Sequence, residues 1–214
     1  MCDLMGEYPF QFSQSQASVY EAMREHHPEV FERIRKAVAE GRWEPTVSTW
    51  TEGDNNMSSG EAIVRSILYG KRYMKKHFGT ETNVGWFPDN FGHPWTLPQI
   101  LAKSGIDYYY FMRCGIGKPV FWWEGPDGSR VLAYNYADYN GRVRKDLPLQ
   151  GVRFCDATGL QDYMHVYGLG DHGGGPTREM LKTAQELAKN EAGPAISYST
   201  AADYFKTISS QGHA

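Results

Sequence analysis

Carboxylates, histidines and tryptophans recur in this chain just past short apolar stretches. After "NVGWF" (83–87) stand Asp89, Asn90, His93 and Trp95, inside "PDNFGHPW". After "RWEPTVSTW" (42–50) come Glu52, Asp54 and Asn56, and after "YPFQFS" (8–13) come Gln14 and Gln16. Glu124 closes "VFWWE", and Asp171 and His172 follow "MHVYGLG". Trp50, Trp86, Trp95, Trp122 and Trp123 are interleaved with them. A carboxylate in such a place can attack a carbon, ligate a metal or move a proton. Tryptophan suits a ligand that is apolar on one face and hydrogen-bonding at its edge, as sugars are. Asp89 is the sharpest position, because it is held between a buried-type strand and a loop, with Pro88 before it and Gly92 after it. By residue type alone, capping of the turn that follows is the stronger reading, and the surrounding sequence reverses that.

Two further segments invite a functional reading. "GDHGGGPT" (170–177) is a glycine-rich loop leading into a helix. It lacks the lysine of a Walker phosphate cradle, and no GxSxG elbow accompanies it as an esterase oxyanion loop would require. It reads as a site loop in which glycines let a substrate approach the backbone beside Asp171 or His172, or else as a turn that needs positive φ. "WTEGDNNMSSGE" (50–61) offers substrate-binding side chains in Glu52 and Asp54, or else a solvated loop with a helix cap. The basic helix faces around Arg33, Arg35, Lys36 and Lys71, Arg72, Lys75, Lys76 read as solvated surface, as do His26 and His27.

These residues need strands that end at one edge. The pattern predicts strands over 8–13, 42–50, 83–87, 107–112, 164–170 and 195–198. It predicts a hairpin over 120–135 that turns at Pro126-Asp127-Gly128. Helices are expected over 17–40, stopped by Gly41; over 60–78, capped by Ser59 and stopped by Gly79; and over 97–103, 177–190 and onward from Thr200. The polar stretch 139–157 reads as loop. Repeated strand–helix units imply a mainly parallel sheet covered by helices, either doubly wound or closed into a barrel. In both architectures the site is built past the C-terminal ends of the strands.

Composition narrows the functional classes. The 214 residues, 41% of them hydrophobic, suffice for one sizeable core. A net charge of −3 with no basic stripe gives no sign of nucleic acid as a partner. No apolar run is long enough to span a membrane, and the start does not read as a signal peptide. Cys2, Cys114 and Cys155 are sparse and unpaired in spacing, which fits a reducing, cytoplasmic compartment. Composition leaves the oligomeric state open.

"GWFPDNFGHPWTLPQILAKSGIDYYYFMR" (85–113) closely resembles the nucleophile segment of glycoside hydrolase family 38 α-mannosidases. Three more blocks agree in order: "FQFSQSQASVYE" (10–21), "GRWEP…WTEGDNNMSSGEAIVRSILYGKRY" (41–73) and "FWWEGPDGSRVLAYN" (121–135); "YGLGDHGGGPTREML" (167–181) also looks like the family's bacterial members. The resemblance implies an α/β fold, an incomplete seven-stranded β/α barrel with mainly parallel strands, truncated at both ends and occupying 1–214. It implies a retaining, zinc-dependent α-mannosidase that acts on mannose-containing oligosaccharides through a covalent mannosyl-enzyme intermediate. Asp89 would be both nucleophile and zinc ligand, and zinc would polarise neighbouring sugar hydroxyls. Asp171 matches the acid/base by order. Trp50, Glu52, Asp54, Trp86, His93, Trp95 and His172 would line the substrate. The family's His-x-Asp pair and a later histidine, the remaining zinc ligands, are expected outside this chain, so the fragment alone would be inactive. The alternative is a carbohydrate-binding fragment without catalysis. A third reading, a metal-dependent sugar deacetylase, needs a ligand cluster that the chain does not assemble.

Overall fold

The computed structural model describes residues 1–46, 49–136, 139–170 and 174–212. They divide into two compact units, one of residues 11–136 and one of residues 3–10 with the described part of 137–213. Among them are eight α-helices and six strands in the order α1 (Cys2–Glu7), β1 (Phe12–Gln14), α2 (Ala17–His26), α3 (Pro28–Ala39), β2 (Trp43–Pro45), α4 (Gly60–Phe78), β3 (Val84–Phe87), α5 (Leu97–Lys103), β4 (Tyr108–Phe111), β5 (Val120–Glu124), β6 (Arg130–Tyr134), α6 (Leu147–Thr158), α7 (Arg178–Ala188) and α8 (Ala201–Ser209).

All six strands belong to residues 11–136. β1 and β2 form a parallel pair. The other four form a sheet in the order β3-β4-β6-β5, parallel except for the β5–β6 hairpin. That hairpin turns as its sequence requires: Gly128 sits at φ +79 and its N–H reaches the Gly125 carbonyl at 3.0 Å. The sheet is covered by α4 and α5. Ile63 and Ile67 from α4 and Leu97 and Leu101 from α5 pack with Phe87, Tyr109, Phe111 and Val131 in one buried cluster. α4 has the bounds its caps dictate. The Ser59 hydroxyl accepts from the Ala62 N–H, and Gly79 closes the helix at φ +71.

The second unit is held by α6, α7 and the chain between them. Val143, Leu147, Met180 and Ala184 are buried together, with Tyr163, Tyr167 and Tyr198 against them. Thr177 and Thr200 cap α7 and α8 through their hydroxyls.

Four expectations are corrected. The helix expected over 17–40 is two helices. Pro28 has no N–H to continue α2 and pushes His27 out of helical conformation, to φ −140 and ψ 60, so α3 restarts with Pro28 in its first turn. The stretch 139–157, expected as loop, contains α6. Its Pro148 suits a first turn and Gly159 ends it at φ +74, while Gly151 and flanking polar residues blur the apolar rhythm of buried Leu147 and Phe154. The stretches 164–170 and 195–198 join no ladder among the described residues, although Met164, Val166 and Ile196 are partly buried. The six described strands make a parallel pair and a mixed four-stranded sheet. The strand expected over 42–50 shortens to β2; its Val47 and Ser48 lie outside the described residues.

Candidate active site

Parallel pairing gathers the chemistry at one edge. In the β3–β4 register Phe87 stands opposite Phe111, so Asp89 and Arg113, each two residues further on, emerge side by side. The Arg113 Nε and Nη2 both reach Asp89 Oδ1 at 2.6 Å. The Phe91 ring lies against the guanidinium, 4.7 Å from its carbon to the ring centroid. β6 continues the edge: Asn135 follows Tyr134, the partner of Tyr110. Its amide donates to the Phe111 and Met112 carbonyls at 2.9 and 2.8 Å, which pins the chain leading to Arg113.

The loop after β2 interlocks with the loop after β3. The Asp89 N–H donates to Glu52 Oε1 at 3.2 Å. The Asn90 amide donates to the Gly53 carbonyl at 2.7 Å and accepts the Asn55 N–H at 3.0 Å. Asn90 and Asn55 are both buried, so these bonds satisfy groups that would otherwise be costly to remove from water. The Asn56 amide lies over Gly92, where an added Cβ would sit 1.6 Å from its nitrogen. Burial raises the Glu52 carboxyl to about 7; the Asp89 N–H opposes that shift and the Asp89 charge adds to it.

His93 braces the site from below. Its Nε2 lies 3.2 Å from the Arg113 carbonyl and its Nδ1 lies 2.9 Å from the Tyr109 hydroxyl. A carbonyl can only accept, so Nε2 carries the hydrogen and Nδ1 accepts from Tyr109. The ring is also packed on Phe111 at 4.5 Å. Burial brings its pKa down to about 4, against the opposing effects of the Arg113 carbonyl and Asp54.

Of the residues singled out from sequence, Asp89, Glu52, Asn90 and His93 are brought together here. Asp54 keeps to the loop surface, where its carboxylate accepts the Asn56 N–H at 2.8 Å. Trp95 is 72% exposed. Trp86 packs on Tyr110 at 4.3 Å. Trp50 turns towards α4, edge-on to Tyr73 at 5.6 Å, and lines a cavity of about 370 Å³ with Glu21, Arg24, Tyr69 and Arg72. Trp123 is packed near Phe111 and His93, and Trp122 lies under Arg130. Asp171 and His172 lie outside the described residues. On their flanks the glycines serve close backbone approach. The Leu169 N–H donates to the Gly175 carbonyl at 2.9 Å, and a Cβ on Gly174 would meet the Leu169 carbonyl oxygen at 1.6 Å. Arg113, Tyr109 and Asn135 were missed in the sequence. For Arg113 the signal was present, since it stands two residues past a strand, the same rule that picked out Asp89.

Among the described residues no three His, Cys, Asp or Glu side chains come together as a metal site, and the Asp89 carboxylate meets a guanidinium. The described side chains therefore do not by themselves make up a zinc site.

Comparison with known proteins agrees with the motifs. The profile of the Glycosyl hydrolases family 38 N-terminal domain matches residues 1–213. Alpha-mannosidase G of Dictyostelium discoideum is 37% identical over 214 residues, a match covering 95% of this chain and 20% of that protein. Human Alpha-mannosidase 2C1 is 31% identical over 211 residues, covering 94% of this chain and 20% of that protein. The crystal structure of an alpha-mannosidase from Enterococcus faecalis V583 superposes with a TM-score of 0.77 at 23% identity, over 98% of this chain and 26% of that one, and so shares its fold. This chain spans about a fifth of the length of these curated relatives.

Proposed function

The chain belongs to glycosyl hydrolase family 38 through its N-terminal domain, and on that premise we propose that it works within a longer protein as a retaining α-mannosidase on mannose-containing oligosaccharides. The observation that carries this reading is the placement of Asp89 at the C-terminal edge of β3, clamped by Arg113 through its side chain and by Glu52 through its backbone. An Asp89 oxygen attacks the anomeric carbon as the glycosidic bond breaks, and the leaving oxygen takes a proton from the acid/base, which we assign to Asp171. Water then cleaves the mannosyl ester and returns a proton to that carboxylate. Two inversions give net retention. Arg113 fixes the direction in which the carboxylate faces, so less orientation remains to be paid for at the moment of attack.

Zinc belongs to this proposal as a cofactor of the longer protein, with Asp89 the one ligand assigned in this chain; when bound it would stabilise developing charge on the sugar. A seven-stranded barrel belongs to it as the fold of the complete domain. Cys2, Cys114 and Cys155 are free, which supports the cytoplasmic reading. No helix among the described residues is long and apolar enough to cross a membrane.

The test is Asp89→Asn in the full-length protein. The amide cannot form a stable glycosyl ester, so turnover of an aryl α-mannoside should be abolished with the fold intact by circular dichroism. Activity within about tenfold of wild type, a barrier change near 1.4 kcal/mol, would remove Asp89 from the nucleophile's role.

A further inference from the structure

We propose that Glu52 is a positioning residue for Asp89: its carboxylate oxygen accepts the Asp89 N–H and so sets the backbone turn from which the nucleophile is aimed. This rests on the reading of Asp89 as nucleophile. The geometry carries it in three steps. First, Glu52 is only partly exposed and forms no ion pair with any lysine or arginine among the described residues; its carboxylate accepts the Asp89 N–H at 3.2 Å. A carboxylate drawn out of water without a cation is costly, and a backbone donor is what offsets that cost here.

Second, the contact is not that of a wandering surface side chain. The segment carrying Glu52 is tied to the Asp89 segment immediately after the contact. The Asn90 amide holds the Gly53 carbonyl and the Asn55 N–H, and the Asn56 amide sits over Gly92. Glu52 therefore meets the Asp89 N–H with its own backbone already in register. Third, the two restraints on Asp89 are complementary. Arg113 reaches from β4 to the carboxylate, and Glu52 reaches from the β2 loop to the N–H. Arg113 acts on the carboxylate alone; Glu52 adds a restraint on the peptide plane before Asp89. Displacements of about 1 Å at a reacting group can cost about a hundredfold in rate, so this restraint should be visible in turnover rather than in binding.

Two substitutions in the full-length protein separate positioning from other roles. Glu52→Gln keeps an oxygen that can accept the N–H. Glu52→Leu keeps the bulk and loses the acceptor. On an aryl α-mannoside, Glu52→Gln should keep kcat within about threefold of wild type. Glu52→Leu should lower kcat by about 30- to 100-fold with KM changed less than about threefold. The same loss should appear in the rate at which a fluorinated mannosyl fluoride labels Asp89, followed by mass spectrometry of the Asp89 peptide. If Glu52→Leu does not fold, the glutamine variant decides, with kcat and its pH profile near wild type supporting the proposal. Three results overturn it: wild-type labelling by Glu52→Leu, a loss in Glu52→Gln as deep as in Glu52→Leu, or removal of one limb of the pH profile in Glu52→Gln. The last would make Glu52 a proton-transfer group. Asp89→Asn run alongside keeps the two readings apart. If that variant stays active, the nucleophile assignment fails. If it is dead while Glu52→Leu is wild type, only the positioning proposal fails.

Discussion

Residues 11–136 hold every described strand, and their order comes from ladders. Register brings Asp89, Arg113 and Asn135 to one edge, and ten buried side chains, five of them from the strands themselves, form the core on the sheet. The described part of the other unit, residues 3–10, 139–170 and 174–212, is helical, and its intervening chain is tied by isolated bonds. The Gly168 N–H donates to the Gly141 carbonyl, the Leu169 N–H to the Gly175 carbonyl, and the Gly170 N–H to the Asn140 side chain. A ladder repeats a bond along its length, so positions on it are shared by many contacts. Isolated bonds each stand alone, and glycines that let the backbone close on itself become the points of failure. The difference teaches where precision is available, and the candidate nucleophile is in the laddered unit.

The largest expected effect sharpens this contrast in the cores. Leu101 is wholly buried in the large cluster behind the sheet, whereas Met180 lies in a cluster of four buried residues. Leu101→Ala should destabilise by about 4 kcal/mol and Met180→Ala by about 2 kcal/mol, read by urea unfolding. Equal losses would mean that the two units are packed alike, and the contrast would fall.

The next effect is electrostatic and belongs to the laddered unit. His93 is held at about 4 in the fold against an ordinary 6.5, so the unfolded chain binds the extra proton between those values. Its contribution is fully present above pH 6.5 and is lost as pH falls towards 4. Glu52 is raised from 4.5 to about 7, so its contribution is present below pH 4.5 and is lost as pH rises towards 7. Each is worth at most about 3 kcal/mol, and between pH 4.5 and 6.5 the two slopes oppose one another. Glu52→Gln removes one of them. Its melting temperature should climb more steeply than wild type across that window, and parallel curves would count against the burial assigned to these groups.

The smallest effect compares two glycines. A Cβ at Gly92 meets the end of the Asn56 side chain, which can swing away. A Cβ at Gly174 meets the Leu169 carbonyl of the backbone, which cannot move so cheaply. Gly174→Ala should therefore cost about 2 kcal/mol and Gly92→Ala under about 1 kcal/mol in thermal melts. The reverse order would show that the β2 and β3 loops, rather than the glycine-rich turn, are the rigid element.

Much of this was legible in the residues themselves. The bounds of α4 follow from a serine that accepts an N–H and a glycine that tolerates positive φ, and both act within one turn of the chain. The hairpin turn, α5 and the place of Asp89 past a buried strand are local in the same sense, and the family is written in five blocks spread along the chain. What tertiary structure alone decided is who meets whom. Sequence could not say that Arg113 would clamp Asp89, because that pairing depends on the register of two parallel strands 24 residues apart. Nor could it say that Glu52 would accept a backbone N–H, that both nitrogens of His93 would be used inside the fold, or that Trp50 would turn to α4. The stretches 164–170 and 195–198 carry strand-like residues without a ladder among the described residues for the same reason. Propensity is a property of a segment, whereas a hydrogen-bonded partner must be supplied by another part of the chain.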